Sequence, residues 1–296
     1  MSKPRVAILG LGIMGSGMAN RLLAQGFPLS VYNRNAARAK PFANAGASVA
    51  SSPADAAQRS EIILSMLADD NASRSVWLGE NGALAQSAGR VAIECSTVTI
   101  GWIHELAAAA AQAKCEFLDA PVTGTKPHAA SGELLFLVGG AEQTLEKAKP
   151  VLSVLGRDVV HFGATGNGAI MKLVNNFMCG VQAASLAEAM LLVQANGIDR
   201  AKAVSLLTNG APGSPLVKVL SSRAEAGDFT PNFELKLMAK DLAYVSESFK
   251  KVRPGGLPSA KAAENLFEQA IAAGYGEKDM SAVIEFLAPK SNGPAK

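Results

Sequence analysis

Lys172 and Asn176 are the residues of this chain whose types and spacing most directly suggest chemistry. They stand four residues apart in an otherwise apolar stretch, so on a helix they share one face. A lysine ammonium in such surroundings must be directed to a cavity or a partner, and beside a second positive charge its pKa would fall toward the range useful for proton transfer. The pattern predicts a general acid. A lysine that reaches out to solvent or pairs with a carboxylate fits the helix position equally well.

A glycine-rich turn follows an apolar stretch at residues 6–9. Gly10 permits a tight turn, Gly12 lets the backbone approach a pyrophosphate, and Gly15 allows a helix to pack closely on the strand. The helix that follows would then direct its N-terminus at the phosphates. The turn therefore predicts a dinucleotide site, formed by Gly10, Leu11, Gly12, Ile13, Met14 and Gly15. The oxidised nicotinamide of such a cofactor carries the positive charge that would act on Lys172; a glycine loop without a cofactor is the alternative.

The end of the second predicted strand, residues 29–32, indicates which dinucleotide is preferred. NAD-binding folds usually place an acidic residue there, on the ribose 2′-hydroxyl, whereas this chain has Asn33, Arg34 and Asn35. The Arg34 guanidinium can form paired hydrogen bonds with a 2′-phosphate, and Arg38 lies one helical turn further on. The sequence thus predicts NADP(H) in preference to NAD(H), unless Arg34 is an ordinary solvated arginine.

Composition narrows the class of protein. The chain has 296 residues, 49% of them hydrophobic, and a net charge of +3 without a basic run, which argues against nucleic acid as a partner. The apolar runs look too short to span a bilayer, and Met1–Arg5 leave no room for a targeting peptide, so we expect a cytoplasmic protein that does not insert into membranes. Cys95, Cys115 and Cys179 look like buried thiols, and no residue cluster suggests a metal.

Short apolar strands alternate with helical stretches up to about residue 163, which predicts a Rossmann-type α/β fold with a doubly wound parallel sheet. The predicted strands are at 6–9, 29–32, 61–66, 91–94, 115–119, 134–138 and 159–162. Beyond them, residues 167–196 are predicted to form one long helix, apolar on all sides and therefore buried, in a second, all-α domain. We expect domains at 1–164 and 165–296, with a disordered tail at 291–296.

Four motifs, in order along nearly the whole chain, resemble those of the β-hydroxyacid dehydrogenase family. They are the glycine turn at 10–19, Asp-Ala-Pro-Val-Thr-Gly-Thr at 119–125, Gly-x-Gly-x-x-x-Lys-x-x-x-Asn at 166–176, and Phe-Glu-Leu-Lys-Leu-Met-Ala-Lys-Asp at 233–241. The Asn-Arg pair after strand two and the Gly-Thr-Lys-Pro loop look most like the NADPH-dependent glyoxylate/succinic semialdehyde reductase branch. This resemblance implies reduction of a small aldehyde acid to the hydroxy acid by hydride transfer, without a metal.

The same resemblance assigns roles to residues. Lys172 would be the catalytic proton donor and Asn176 would orient the substrate, whose carboxylate Thr123, Gly124 and Thr125 would hold. The further implied contacts are Met66, Leu67, Thr97 and Lys240 with the cofactor, and Phe233 and Asp241 with the substrate. Two departures matter: Thr123 stands where the family usually has serine, which leaves substrate size open, and Ala68 replaces a common proline.

Several alternatives stay open at this stage. A 3-hydroxyisobutyrate or tartronate semialdehyde type of dehydrogenase would use the same residues, while an imine reductase usually lacks the lysine found at 172. A cofactor-binding scaffold without activity is a further class, against which Lys172, Asn176 and the substrate loop argue. None of His104, His128 and His161 forms a ligand set or is expected to be catalytic. The apolar helix also predicts a homodimer or homotetramer.

Overall fold

The computed structural model describes residues 3–250, 252–253 and 255–288. The chain divides into two compact units, residues 1–172 and 173–296. The tail at 291–296, predicted to be disordered, lies outside the described residues.

The first unit alternates strands and helices. Its strands are β1 (Val6–Leu9), β2 (Leu29–Tyr32), β3 (Ser48–Val49), β4 (Ile62–Ser65), β5 (Val91–Glu94), β6 (Glu116–Asp119), β7 (Val122–Thr123), β8 (Leu134–Gly140) and β9 (Gly156–His161). Its helices are α1 (Ile13–Ala24), α2 (Lys40–Asn44), α3 (Pro53–Gln58), α4 (Asp70–Leu78), α5 (Ile100–Gln112), α6 (Lys126–Ser131) and α7 (Glu142–Leu155), with 3₁₀ turns at Ala36–Arg38 and Ala83–Gln86.

The sheet has the order β3-β2-β1-β4-β5-β6-β8-β7, and β9 pairs with β8. Strands β1 to β6 all run parallel to one another. Val6 of β1 pairs with Leu29 of β2 on one side and with Ile62 of β4 on the other. The order steps outward from β1 in both directions, so the carboxyl ends of β1 and β4 meet at the switch point where open α/β sheets bind their ligands. The predicted Rossmann-type fold is confirmed.

Both faces of the sheet are covered, because successive residues of a strand point to opposite sides. In β1, Val6 and Ile8 pack with Met18 and Leu22 of α1, whereas Ala7 and Leu9 pack in a second cluster with Trp77 of α4 and Trp102 of α5. Seven of these eight residues, all but Trp102, are fully buried, and burying one large apolar side chain stabilises a fold by roughly 1.5–3 kcal/mol.

The last part of the sheet is mixed rather than parallel throughout. Strand β8 runs antiparallel to both β6 and β7, while β9 runs parallel to β8 after the long helix α7. A parallel crossover needs about a dozen residues or more. Between Thr123 and Leu134 the chain holds only the six-residue helix α6, so it turns back instead.

The second unit is helical within its described residues, apart from one isolated bridge between Glu234 and Asp279. Its helices are the larger part of α8 (Asn167–Ala195), then α9 (Arg200–Asn209), α10 (Pro215–Ala226), α11 (Leu235–Ser248), α12 (Pro258–Ala272) and α13 (Ala282–Leu287). One core joins them, with Leu242 of α11 and Phe267 of α12 fully buried in it. The predicted all-α second domain is confirmed, and α8 has nearly the predicted bounds.

Two expectations about α8 were wrong. Within the chain it is not buried on all sides, since Met178 is 52% and Leu192 is 64% exposed. With 29 residues it is also long and apolar enough, by length and composition alone, to cross a membrane, although core helices of globular proteins meet the same test. Cys179, in the same helix, is half-buried rather than buried like Cys95 and Cys115.

Candidate active site

The glycine turn after β1 leaves room for a ligand at one position. Gly10 has a φ of +104°, and a Cβ there would lie 2.4 Å from the carbonyl oxygen of Met66. A Cβ at Gly15 would lie 2.0 Å from the carbonyl oxygen of Gly10. Packing within the protein therefore requires these two glycines. At Gly12, the N-cap of α1, a Cβ would meet nothing within 4 Å, and the first turn of α1 has no acidic residue to oppose a phosphate.

A cavity of about 590 Å³ opens beside this turn, at the carboxyl ends of β1, β2 and β4. Arg34 and Arg38 line it, and Asn35 caps the 3₁₀ turn that brings Arg38 round one turn after Arg34. Among the described residues that line the cavity, Glu80 is the one acidic residue. The space beside Gly12 and the two guanidinium groups fit the phosphate groups of a dinucleotide, because backbone amides at a helix N-terminus and arginine side chains both bind phosphate oxygens.

Asn33 acts on the protein's own backbone. Its Oδ1 accepts a hydrogen bond from the Leu11 amide at 2.9 Å, and its Nδ2 donates to the Asn35 carbonyl at 3.0 Å. Leu11 is buried. In this arrangement Asn33 fixes the glycine turn against the loop after β2, a role that spacing alone does not reveal.

The loops after β4 and β5 are joined by side chains. Ser96 Oγ accepts a hydrogen bond from the Leu67 amide at 2.8 Å. Asp70 accepts two from Thr99, one from the amide at 2.9 Å and one from the hydroxyl. The residues predicted to contact the cofactor here, Met66, Leu67 and Thr97, therefore lie on two loops that are held to each other.

The predicted substrate loop is shaped by Gly124 and His128. Thr123 pairs with Leu135 across the sheet, and Gly124 turns the chain at a φ of +132°. Thr125 then caps α6, and its amide donates to His128 Nδ1 at 3.1 Å while its hydroxyl lies 2.8 Å from the same nitrogen. The amide and the hydroxyl of Thr125 thus both meet one ring nitrogen of His128, which ties the loop to the first turn of α6. This role of His128 was not predicted from the sequence, in which His128 belongs to no ligand set.

Helix α8 begins on a buried carboxylate. Asp119, at the end of β6, accepts hydrogen bonds from the amides of Gly166 at 2.8 Å and Ala169 at 2.9 Å. Burial raises the pKa of Asp119, and these amide hydrogen bonds oppose the rise. Gly168 lies so close to β8 that a Cβ would stand 2.3 Å from the Leu137 carbonyl oxygen. The position of Lys172, in the second turn of α8, is therefore set by β6 and β8.

In the second unit, Asn176 is held by Asp241. Asn176 Nδ2 donates a hydrogen bond to Asp241, and Asn176 Oδ1 accepts one from Asn175 at 3.0 Å. Asp241 is almost fully buried, and Lys240 Nζ lies 3.0 Å from its other oxygen. The Lys240 ammonium also lies over the Tyr244 ring, 4.8 Å from its centre. The structure thus brings Asn176, Lys240 and Asp241 together, with Asp241 orienting Asn176.

Phe233, also in the second unit, lies on a loop organised by Asp279. One oxygen of Asp279 accepts hydrogen bonds from the amides of Asn232 at 2.9 Å and Phe233 at 3.2 Å. The other accepts from the amide and hydroxyl of Ser281, and Arg223 lies 3.4 Å away. Asp279 was not found from the sequence, since it stands 46 residues from Phe233 and belongs to no motif.

Two family models together cover almost the whole chain. Residues 5–163 match the NAD binding domain of 6-phosphogluconate dehydrogenase, and residues 166–287 match the domain described as NAD-binding of NADP-dependent 3-hydroxyisobutyrate dehydrogenase. The chain belongs to the β-hydroxyacid dehydrogenase family. As a β-hydroxyacid dehydrogenase it is an oxidoreductase with nicotinamide dinucleotide-binding domains, as the glycine turn predicted.

Relatives of this β-hydroxyacid dehydrogenase cover it almost end to end. It is 33% identical to an NAD-dependent L-serine dehydrogenase of Pseudomonas aeruginosa, over 96% of this chain and 98% of that one. It is 34% identical to glyoxylate/succinic semialdehyde reductase 2 of Arabidopsis thaliana, a chloroplastic protein, over 95% and 79%. A solved Mycobacterium tuberculosis 3-hydroxyisobutyrate dehydrogenase with L-serine has a TM-score of 0.87 at 29% identity, covering 96% of this chain and 99% of that one.

Proposed function

We propose that this β-hydroxyacid dehydrogenase reduces a small aldehyde acid, such as glyoxylate or succinic semialdehyde, with NADPH, and that Lys172 donates the proton. The observation that carries the proposal is the position of Lys172. It lies in the second turn of a helix whose first turn is fixed by Asp119. The backbone from which its ammonium group extends is therefore held in place. A fixed donor is what general acid catalysis requires.

Each residue then has a task that its own chemistry can perform. The cofactor, when bound, supplies a hydride to the carbonyl carbon. Lys172 protonates the carbonyl oxygen from Nζ, and Asn176, one turn along the same helix, orients the substrate with the N–H that its bond to Asp241 leaves available. Thr123 and Gly124 hold the substrate carboxylate with a hydroxyl and an amide. These contacts fix the orientation of the carbonyl, which lowers the entropic part of the barrier.

The preference for NADPH rests on Arg34 and Arg38. Both are exposed and line the cavity beside the glycine turn, and the strand end that usually carries an acidic residue has Asn33. The relatives named above include an NAD-dependent enzyme, so this preference is argued from the two arginines alone.

A substrate panel tests the reaction. The purified protein is given glyoxylate, succinic semialdehyde and a simple imine with NADPH or NADH, and 3-hydroxyisobutyrate and L-serine with the oxidised cofactors. We expect oxidation of NADPH with an aldehyde acid. Turnover confined to 3-hydroxyisobutyrate, L-serine or the imine would refute the proposed substrate class, and no turnover despite NADPH binding would favour a scaffold.

Lys172→Ala tests the proton donor. We expect kcat to fall by at least about a hundredfold, within the range usual for general acid catalysis, with little change in the Kd for NADPH. Lys218→Ala is the matched control, because Lys218 is an exposed lysine in the first turn of α10. Turnover of Lys172→Ala equal to that of the control would refute the mechanism.

Arg34→Asp tests the cofactor preference. Losing a charge-assisted hydrogen bond and placing a carboxylate near the 2′-phosphate should raise the KM for NADPH by about tenfold or more, with a smaller effect on NADH. Arg157→Asp, on the exposed part of β9, serves as the control for net charge. Equal effects on the two cofactors would reject the assignment.

We also propose that the protein is a homodimer or homotetramer. The exposed apolar side chains of α8, such as Met178 and Leu192, support this because a soluble chain seldom leaves a long apolar helix uncovered. A monomer in sedimentation velocity at micromolar concentration would contradict it.

A further inference from the structure

Glu94 is a buried carboxylate for which the mechanism above has no use. It ends β5 in the middle of the sheet, and its side chain is fully buried. The amide of Ser96 donates to one of its oxygens at 2.8 Å. The hydroxyl of Ser73 and the indole N–H of Trp77, the latter at 3.0 Å, donate to the other oxygen. A buried carboxylate is costly unless donors compensate it, and here three donors converge on one group.

Both tryptophans of the chain belong to this cluster. The indole N–H of Trp102 donates to Ser73 Oγ at 2.8 Å, so the hydroxyl hydrogen of Ser73 is left to point at Glu94. The indole of Trp77 is also within 3.1 Å of Ser65 Oγ. Helices α4 and α5 thus both attach to the end of β5 through Glu94.

From Glu94 the hydrogen bonds continue to the surface loops. The Ser96 amide is fixed by Glu94, and the Ser96 hydroxyl accepts from the Leu67 amide in the loop after β4. One side chain therefore sets the backbone of both loops. These are the loops assigned above to the cofactor, through Met66, Leu67 and Thr97.

We propose that Glu94 is a positioning residue for the cofactor: through Ser96 it fixes the two loops against which the end of the dinucleotide remote from Arg34 binds. This inference rests on the proposed function only in its placement of those loops at the cofactor. Position 94 requires a carboxylate, because all three groups described above donate a hydrogen bond to the side chain of Glu94. An amide at 94 would set its own N–H groups against the Ser96 amide or against Trp77 and Ser73.

Glu94→Gln tests the proposal, with Glu116→Gln as the matched control. Glu116 is also a glutamate in a strand, and it accepts a hydrogen bond from the hydroxyl of Thr144. It lies at the amino end of β6, however, whereas Glu94 lies at the carboxyl end of the neighbouring parallel strand β5. In isothermal titration calorimetry without substrate, Glu94→Gln should raise the Kd for NADPH and the Kd for NADH by about tenfold each, the equivalent of one lost hydrogen bond. The factor should be the same for NADPH and NADH, unlike that of Arg34→Asp. Tryptophan emission of the free protein should also change in Glu94→Gln and not in the control.

A merely structural role would lower the melting temperature of Glu94→Gln and leave the Kd of the folded protein unchanged, which would overturn the proposal. If Glu94→Gln fails to fold, the Ser96→Ala variant tests the proposal in its place. It keeps the carboxylate and its amide donor but removes the acceptor for Leu67, so the Kd should rise with tryptophan emission unaltered. An unchanged Kd in Ser96→Ala would overturn the proposal.

The titration also separates this proposal from the function on which it rests. A wild-type protein that binds NADPH but reduces no aldehyde acid refutes the proposed reaction and leaves the comparison of Kd values decisive. A wild-type protein that binds neither nucleotide overturns both.

Discussion

Two acceptor oxygens on the side chain of Asp119 fix the start of the helix that carries Lys172. This aspartate lies within the Asp-Ala-Pro motif, yet its contacts are with residues 47 and 50 positions away. Sequence spacing could therefore suggest Lys172, through its helix periodicity, but not Asp119, His128 or Glu94. Their importance comes from hydrogen bonds that only the folded chain forms.

Asp119→Asn should separate helix positioning from cofactor binding. The amide would place an N–H group against the amide of Gly166 or of Ala169, and an unsatisfied buried donor costs about 1–3 kcal/mol of stability. We expect a lower melting temperature and a lower kcat, with the Kd for NADPH unchanged because the glycine turn is untouched. Asp199→Asn, at the exposed N-cap of α9, is the control, since asparagine caps a helix as well as aspartate does. Loss of NADPH binding in Asp119→Asn would contradict this account.

The buried thiol of Cys115 should make the folded protein less stable at alkaline pH. Burial raises the pKa of its thiol to about 11 from the usual 9.0. Between pH 9 and pH 11 the unfolded chain therefore loses this proton while the native protein keeps it, so stability falls as the pH rises, by at most about 3 kcal/mol for a shift of two pKa units. The urea midpoint of Cys115→Ala should fall less than that of the wild type between pH 8 and pH 10.5. Parallel falls would show that another group is responsible.

At the scale of elements, periodicity and turn residues were enough for most of the fold, because buried strands and a long apolar helix leave strong patterns. Strands β3 and β7 were missed, since each has two residues and too little pattern. The antiparallel direction of β8 was missed as well, although the short connection through α6 was a usable signal. Contacts between elements, such as that of α1 with α6, left no trace that spacing could reveal.

The contact of α1 with α6 gives a prediction about Gly17. A Cβ at Gly17 would lie 2.9 Å from the Cβ of Ala129, so Gly17→Ala must push the two helices apart. Overpacking costs about 1–3 kcal/mol, more than the roughly 1 kcal/mol that alanine gains in helix propensity. We expect a lower melting temperature, and a higher KM for the aldehyde acid because α6 follows the loop at 123–125. Gly101→Ala, where a Cβ would meet nothing within 4 Å, should stabilise the protein slightly and leave KM unchanged. The opposite order of melting temperatures would refute the packing argument.

At the scale of the whole molecule, the chain has two units with separate cores. The boundary expected from the sequence, between residues 164 and 165, rests on the last predicted strand. The division into compact units falls between Lys172 and Leu173, within helix α8. A helix that runs through such a boundary has no breaker residue at that point for the sequence to display.

Because Trp77 and Trp102 are the only tryptophans of the sequence and both lie in the first unit, tryptophan fluorescence, excited selectively over tyrosine, follows the unfolding of that unit. Far-ultraviolet circular dichroism follows both units, since helices occur in each. If the second unit can melt while the first remains folded, the dichroism transition in urea will begin before the fluorescence changes. Coincident transitions would mean that the two cores unfold as one cooperative body. The two indoles therefore report, without an added label, whether the two units unfold together or separately.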